Sequence, residues 1–274
     1  RGTGAKAHAV TAGATVVRGV LEKALRDRRD AGRKLLVPYV TGGLGRDWLE
    51  VVRAVGAAGA DAIEIGIPFS DPVMDGPVIQ RASAEALNSG ATPSGIIAAL
   101  ARADAGVPLV VMTYYNIVFR AGHRRMARTL AEAGVSGAIV PDLPIDELNG
   151  WGDEASSAGV ETVLLVAPTT PRSRLKAICA RSRGFVYGVG VMGVTGERAS
   201  LSATALKVAT VCKEETDIPV LIGVGISSPE QAREVIAVAD GVVVGSALVH
   251  RLLEGAGPEG AAAFVAELRA AIDA

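Results

Sequence analysis

The sequence predicts an α/β fold of the (β/α)8 barrel class, one domain with an extra helix ahead of its first strand. Three observations carry that expectation. Apolar runs of strand length recur eight times, each bounded by Gly, Pro or Asp. Most are apolar throughout, as strands covered on both faces are. Helix-like segments lie between them, so strand and helix alternate through about 250 residues, the arithmetic of eight units.

Residues 1–17 are rich in Ala, Gly and Thr and lack acids. They are expected to be a flexible extension outside the barrel, frayed or processed. An amphipathic segment, VVRGVLEKALRDRRDAG at 16–32, precedes the first strand and is expected to cap the barrel's bottom. The first strand is LLVPYV at 35–40, followed by a helix in DWLEVVRAVGAAG at 47–59. The second strand is DAIEIGI at 61–67 and the third PLVVMTY at 108–114. A helix in HRRMARTLAEAG at 123–134 leads to GAIVPD at 137–142, then TVLLVAP at 162–168 and FVYGVGV at 185–191. The last two strands are PVLIGVG at 219–225 and GVVVGS at 241–246, separated by a helix in SPEQAREVIAVA at 228–239. Several of these helices end in Gly just before the next strand, which is helix C-terminal chemistry. A doubly wound open sheet is the competitor. It would carry a glycine-rich dinucleotide loop after the first strand, and TGGLGRD at 41–47 is only a loose match. No linker or composition shift divides residues 18–274.

Composition excludes several function classes. Acids and bases nearly balance, 29 against 28, so no global field favours nucleic acid or an anionic membrane. Cys179 and Cys212 are the only cysteines, without metal-site spacing or a disulfide framework. A reducing cytoplasm is the expected compartment. No apolar run reaches the ~18 residues of a membrane-spanning helix.

In a barrel of this class the reactive groups sit at the C-terminal strand ends and in the loops that follow. Alternation in the second strand puts Ala62, Glu64 and Gly66 on one face and Ile63, Ile65 and Ile67 on the other. The isoleucines suit the helix-facing side, so Glu64 points into the barrel. A buried carboxyl is costly, and its raised pKa suits proton transfer. The plainer alternative is an inward Glu satisfied by a core hydrogen bond. Asp71 and Asp75 follow in the next loop, where Asp beside Pro and Gly also serves turns. Asp75, ahead of Gly76 and Pro77, is the better catalytic candidate, because the loop can fold back over the mouth. The seventh strand ends in Gly223 and Gly225, and the eighth in Gly245-Ser246 running straight into a helix. Loops after these two strands are the usual barrel phosphate site, and backbone amides at a helix N-terminus bind phosphate. Gly196, after the sixth strand, offers a third approach. None of the six lysines falls at a C-terminal strand end, and the three histidines are not clustered. No Schiff base and no metal are therefore expected. What remains is carboxylate acid–base work on a phosphorylated substrate.

These residues resemble a family, the α subunit of tryptophan synthase. GADAIEIGIPFSDPVMDGPVIQ at 59–80 is close to its most distinctive signature, and PYVTGG, TYYNIVF, VPDLP, GFVY, MGVTG, GVGIS and GSALV follow in the family's order and spacing. The resemblance covers nearly the whole chain after residue 17. It implies retro-aldol cleavage of indole-3-glycerol phosphate to indole and glyceraldehyde 3-phosphate. By resemblance, Glu64 is the acid–base group and Asp75 accepts the indole N–H. Tyr187 stands beside the substrate, and Thr195 orients the Asp of the loop when the site closes. Tyr39, Tyr114, Val224 and Val243 line the indole pocket, while Gly196, Gly225, Gly245 and Ser246 hold the phosphate. Pro68, Asp71 and Asn116 resemble residues that meet a β subunit in an α2β2 assembly. Pyridoxal phosphate is expected only on that partner, and no cofactor on this chain. One departure stands out: Gly190-Val191 replaces the Ser-Arg or Ser-Thr that commonly precedes Gly-Val-Thr-Gly, in the loop expected to form a lid. A stand-alone indole-3-glycerol phosphate lyase would share every catalytic residue. An inactive regulatory α-like subunit would have no need of Glu64, Asp75 or the phosphate glycines.

Overall fold

The eight apolar runs form eight strands. They are β1 (Leu35–Thr41), β2 (Ile63–Gly66), β3 (Leu109–Met112), β4 (Val135–Ile139), β5 (Glu161–Val166), β6 (Val186–Val189), β7 (Val220–Gly223) and β8 (Gly241–Val244). The computed structural model describes residues 18–190, 198–223 and 225–274, with residues 198–202 followed by their backbone alone. The strands pair parallel in chain order, and β8 closes on β1 with Leu35 opposite Gly241. The closed barrel, not the open sheet, is therefore the fold, and no strand edge is left unpaired among the described residues.

Helices surround the barrel. Ahead of β1 is α1 (Val20–Asp30), and α2 (Trp48–Ala57) joins β1 to β2. Two helices, α3 (Pro77–Asn88) and α4 (Pro93–Leu100), lie between β2 and β3, and α5 (Tyr115–Ala121) and α6 (His123–Glu132) between β3 and β4. Then come α7 (Asn149–Ser157), α8 (Arg172–Arg181), α9 (Arg198–Glu215), α10 (Pro229–Ile236), α11 (Ser246–Leu253) and α12 (Gly257–Asp273). Local chemistry explains the doubled connections. Thr92 accepts the Gly95 N–H and Pro93 opens α4, a capped start with the proline where its missing donor costs nothing. Gly122, at φ 83°, breaks α5 from α6. Among the described residues no helix is long and apolar enough to cross a membrane.

The alternation expected in β2 is present. Ile63, Ile65 and Ile67 pack in the layer between barrel and helices. Ala62 packs inside with Leu35, Val110 and Leu221. The barrel's bottom is closed by α1, whose Leu21 and Leu25 join that inner cluster. The Glu161 carboxylate, at the start of β5, accepts the backbone N–H groups of Leu21 at 2.6 Å and Glu22 at 3.1 Å. It thus satisfies donors at the helix N-terminus and complements the dipole there. On the same lower rim Asp61 is fully buried. It accepts the Leu36 N–H at 2.8 Å and is paired with Arg269 of α12 at 3.0 Å and with Arg33 at 2.9 Å. Residues 1–17, expected to be an extension, lie outside the described residues.

Candidate active site

The short β2 strand ends in Gly66, and the chain leaves it through a loop, residues 67–76, that opens α3. Glu64 points inward from β2 and is 1% exposed. Its Oε2 has no hydrogen-bond partner among the described residues. Burial pushes the Glu64 carboxyl up to about 8, and the neighbouring Asp75 charge adds to the shift. An acid with that pKa keeps its proton at neutral pH and can still release it, which is what a proton-transfer group needs.

Asp75 sits at the end of the loop, half-buried. Its own carboxyl is raised by burial and held partly back by the Tyr114 hydroxyl. The Gln80 side chain donates to the Asp75 carbonyl at 2.8 Å and so ties the loop end to α3. The Tyr39 phenol is raised above its ordinary range, first by burial and then by Asp75. Tyr187 is raised by burial and then by Glu64, Tyr39 and Asp75. Glu64 and Tyr39 are register partners on neighbouring strands, and Asp75 and Tyr187 lie close enough to interact with them electrostatically. The two inward rings cover strand-end glycines. A Cβ on Gly66 would lie 1.8 Å from the Tyr39 hydroxyl, and one on Gly223 would lie 2.4 Å from the Tyr187 hydroxyl. Val243 packs inside the barrel in the same inner cluster as Tyr187.

Beyond β1 on the same barrel come β8 and β7, each followed by a helix start. Gly225 has φ +46°, a backbone that suits glycine. The following helix, α10, is already capped, because Ser228 accepts the Gln231 N–H. Helix α11 differs: Gly245 is its N-cap, with no side chain to satisfy the first amides. Those free donors, with the exposed Ser246 hydroxyl beside them, suit an anion.

A family profile described as tryptophan synthase alpha chain matches residues 25–272. The chain belongs to the tryptophan synthase alpha chain family. It is 42% identical over 262 residues to the tryptophan synthase alpha chain of Streptomyces coelicolor, covering 91% of this chain and 95% of that one. It is 42% identical to that of Chloroflexus aurantiacus over 253 residues, 89% of this chain and 95% of the other. Among solved structures, tryptophan synthase from Mycobacterium tuberculosis superposes with a TM-score of 0.86 at 39% identity, over 93% of this chain and 98% of that one. The tryptophan synthase alpha chain of Legionella pneumophila superposes at 0.84 and 30% identity, over 94% and 98%.

Within that family's fold the expected site residues distribute as follows. Glu64, Asp75, Tyr39, Tyr187 and Val243 share the barrel mouth or the core beneath it, with Tyr114 at the loop. Thr195, Gly196, Val224 and Val191 of the expected lid lie outside the described residues. Asp71 and Asn116 are exposed on the outer side of the mouth, with the Ser70 hydroxyl donating to Asp71 at 2.6 Å. Pro68, at the loop's start, is buried. Two features escaped sequence reasoning. Asp142, in VPDLP, accepts the Tyr115 N–H at 2.8 Å and so caps the start of α5 from a different loop. The Tyr114 hydroxyl accepts the Met74 N–H at 3.0 Å. Both join segments far apart in the chain, and no local pattern signals them.

Proposed function

We propose that the chain cleaves indole-3-glycerol phosphate to indole and glyceraldehyde 3-phosphate by a retro-aldol step, as the α subunit of tryptophan synthase. The observation that carries this is Glu64, buried and turned inward on β2, with its carboxyl raised by burial and by the neighbouring Asp75 charge. Glu64 donates its proton to indole C3, and the carboxylate so formed takes the proton of the side-chain hydroxyl. The bond from C3 to the hydroxyl-bearing carbon then breaks, and its electron pair returns to the indole ring. The carbonyl of glyceraldehyde 3-phosphate forms, and Glu64 ends as it began. Asp75 accepts the indole N–H and stabilises the positive ring that exists between the two transfers. Tyr39, Tyr187 and Val243 enclose the indole. Gly245, Ser246 and Gly225 hold the phosphate, chiefly through the uncapped amides of α11. The cleavage itself draws on no cofactor of this chain.

The partner is a tryptophan synthase β subunit, which would carry the pyridoxal phosphate, in an α2β2 assembly. Support comes from the outer face of the mouth. Val73, Met74 and Phe119 are three of the five exposed large apolar side chains among the described residues. Val73 and Met74 lie on the loop 67–76 with Asp71, and Phe119 lies on α5 with Asn116, which lines a groove of about 540 Å³ together with Phe69, Ile117 and Arg120. Apolar patches of this kind mark association faces. The cytoplasm is the proposed compartment, in keeping with two free thiols, Cys179 and Cys212. The deciding experiment is indole release from indole-3-glycerol phosphate, assayed with and without a cognate β subunit. Absence of indole under both conditions rejects the lyase activity.

A further inference from the structure

The loop 67–76 carries Asp75 from the end of β2 back over the mouth, and both of its ends meet one side chain. At its start the Phe69 ring lies 5.1 Å from the Tyr114 ring, tilted by 30°. Near its end the Met74 N–H donates to the Tyr114 hydroxyl at 3.0 Å. Tyr114 is buried at the head of α5, just after β3, and so stands on a rigid part of the barrel. A phenol has one proton and two lone pairs. Met74 occupies a lone pair, which leaves the proton free to donate. The next residue along the loop is Asp75, and the Tyr114 hydroxyl counteracts the effect of burial on its carboxyl. Conversely, Asp75 helps to raise Tyr114 to about 12, after burial as the first cause. Tyr114 therefore keeps its proton throughout the working range.

We propose that Tyr114 is a positioning residue: its ring and hydroxyl clip both ends of the loop 67–76, and its proton aims the Asp75 carboxylate at the substrate's ring nitrogen, a role that presupposes Asp75 as the acceptor of the indole N–H. A residue that only walled the pocket would need the ring. The clip needs the oxygen as well, because the oxygen alone reaches the Met74 amide. Among the side chains proposed to enclose the indole, Tyr114 holds the loop through its hydroxyl, at the Met74 amide.

Two unreactive ligands separate the roles: the propyl phosphate of indole, and its benzofuran counterpart with oxygen in place of the N–H. Binding of each is measured by titration calorimetry to the wild-type chain and to Tyr114→Phe, Asp75→Ala and the double variant. The wild type is expected to prefer the indole ligand by on the order of tenfold, the scale of a hydrogen bond to a charged group. Tyr114→Phe should reduce that preference several-fold, Asp75→Ala should abolish it, and the double variant should match Asp75→Ala. A Tyr114→Phe chain that loses affinity for both ligands equally, with the preference intact, would make Tyr114 a wall and overturn the inference. If the wild type shows no preference, or Asp75→Ala keeps it, the role of Asp75 falls and the aiming role of Tyr114 with it. Amide exchange tests the clip independently. The Met74 amide should be protected in the wild type and exchange at least about tenfold faster in Tyr114→Phe. An unprotected Met74 amide in the wild type overturns the inference whatever the variants do.

Discussion

Tyr39 and Glu64 are partners across the β1–β2 ladder, and the Tyr39 ring runs on past Glu64 to rest its hydroxyl over Gly66. A Cβ on Gly66 would meet that hydroxyl at 1.8 Å and two ring carbons at 2.4 and 2.7 Å. Gly66→Ala must therefore displace the ring. Overpacking of this kind costs about 1–3 kcal/mol, so the variant should melt several degrees lower and bind substrate more weakly. Adding Tyr39→Phe should bring little relief, since the ring carbons clash too. A thermal melt of Gly66→Ala that matches wild type would mean that Tyr39 does not rest there.

Glu64 makes stability depend on pH. Its carboxyl is pushed up from 4.5 to about 8 in the folded chain. Between those values the folded state holds a proton that the unfolded state has released, so stability falls as pH rises through that window and is flat above it. Gln at this position does not titrate. The stability of Glu64→Gln relative to wild type should therefore rise by up to about 1.4 kcal/mol per pH unit across the window, then level off. Urea titrations from about pH 5 to about pH 9 measure the gap. The same variant should keep its circular dichroism and lose indole release; a folded, active Gln variant removes Glu64 from the mechanism.

Gly245 offers a test of the phosphate site that separates charge from space. A Cβ there meets nothing closer than the Tyr39 Cβ at 3.6 Å, an ordinary contact. Gly245→Asp brings a negative charge to the uncapped start of α11. Substrate affinity should fall by at least about tenfold, while the circular dichroism stays that of wild type. Unchanged affinity in a folded Gly245→Asp chain would place the phosphate elsewhere.

Asp71 is exposed on the outer side of the mouth, away from the proposed bond cleavage. Asp71→Ala should leave basal indole release close to wild type and weaken stimulation by the β subunit. Losing one partner of a buried interfacial charge pair costs roughly 2–5 kcal/mol, a shift easily seen when β is titrated against either chain. A wild-type chain that no concentration of β stimulates would leave the stand-alone lyase as the better account.

Much of this was legible in the sequence, for definite physical reasons. Strands covered on both faces read as unbroken apolar runs, so all eight could be placed from Leu35 to Val244. The period of two in β2 was enough to turn Glu64 inward. Sequence reasoning gave out where contacts join distant segments. The helix at 123–134 was legible, but nothing marked α5 ahead of Gly122 or α4 after Thr92 as separate helices. Asp61 looked like the ordinary polar start of a strand, yet it is fully buried. Asp142 and Tyr114 were visible as motif members, but their bonds to Tyr115 and Met74 depend on how the strand ends are arranged around the barrel. The buried position of Pro68 likewise follows from the path of the loop, which composition does not reveal.

The ion pair between Asp61 and Arg269 spans 208 residues. During synthesis at ~5–20 residues per second, Arg269 is made roughly 10 to 40 s after Asp61. Throughout that interval the acid on the lower rim lacks the arginine that α12 brings, and for most of it β1 lacks the strand that closes on it. The nascent chain is therefore obliged to wait as an open, partly paired sheet with an apolar interior. Vulnerability to aggregation and demand for chaperones should be concentrated in that interval. Substitutions at Arg269 or across the β1–β8 seam should lower the yield of soluble protein more than their effect on the finished molecule implies.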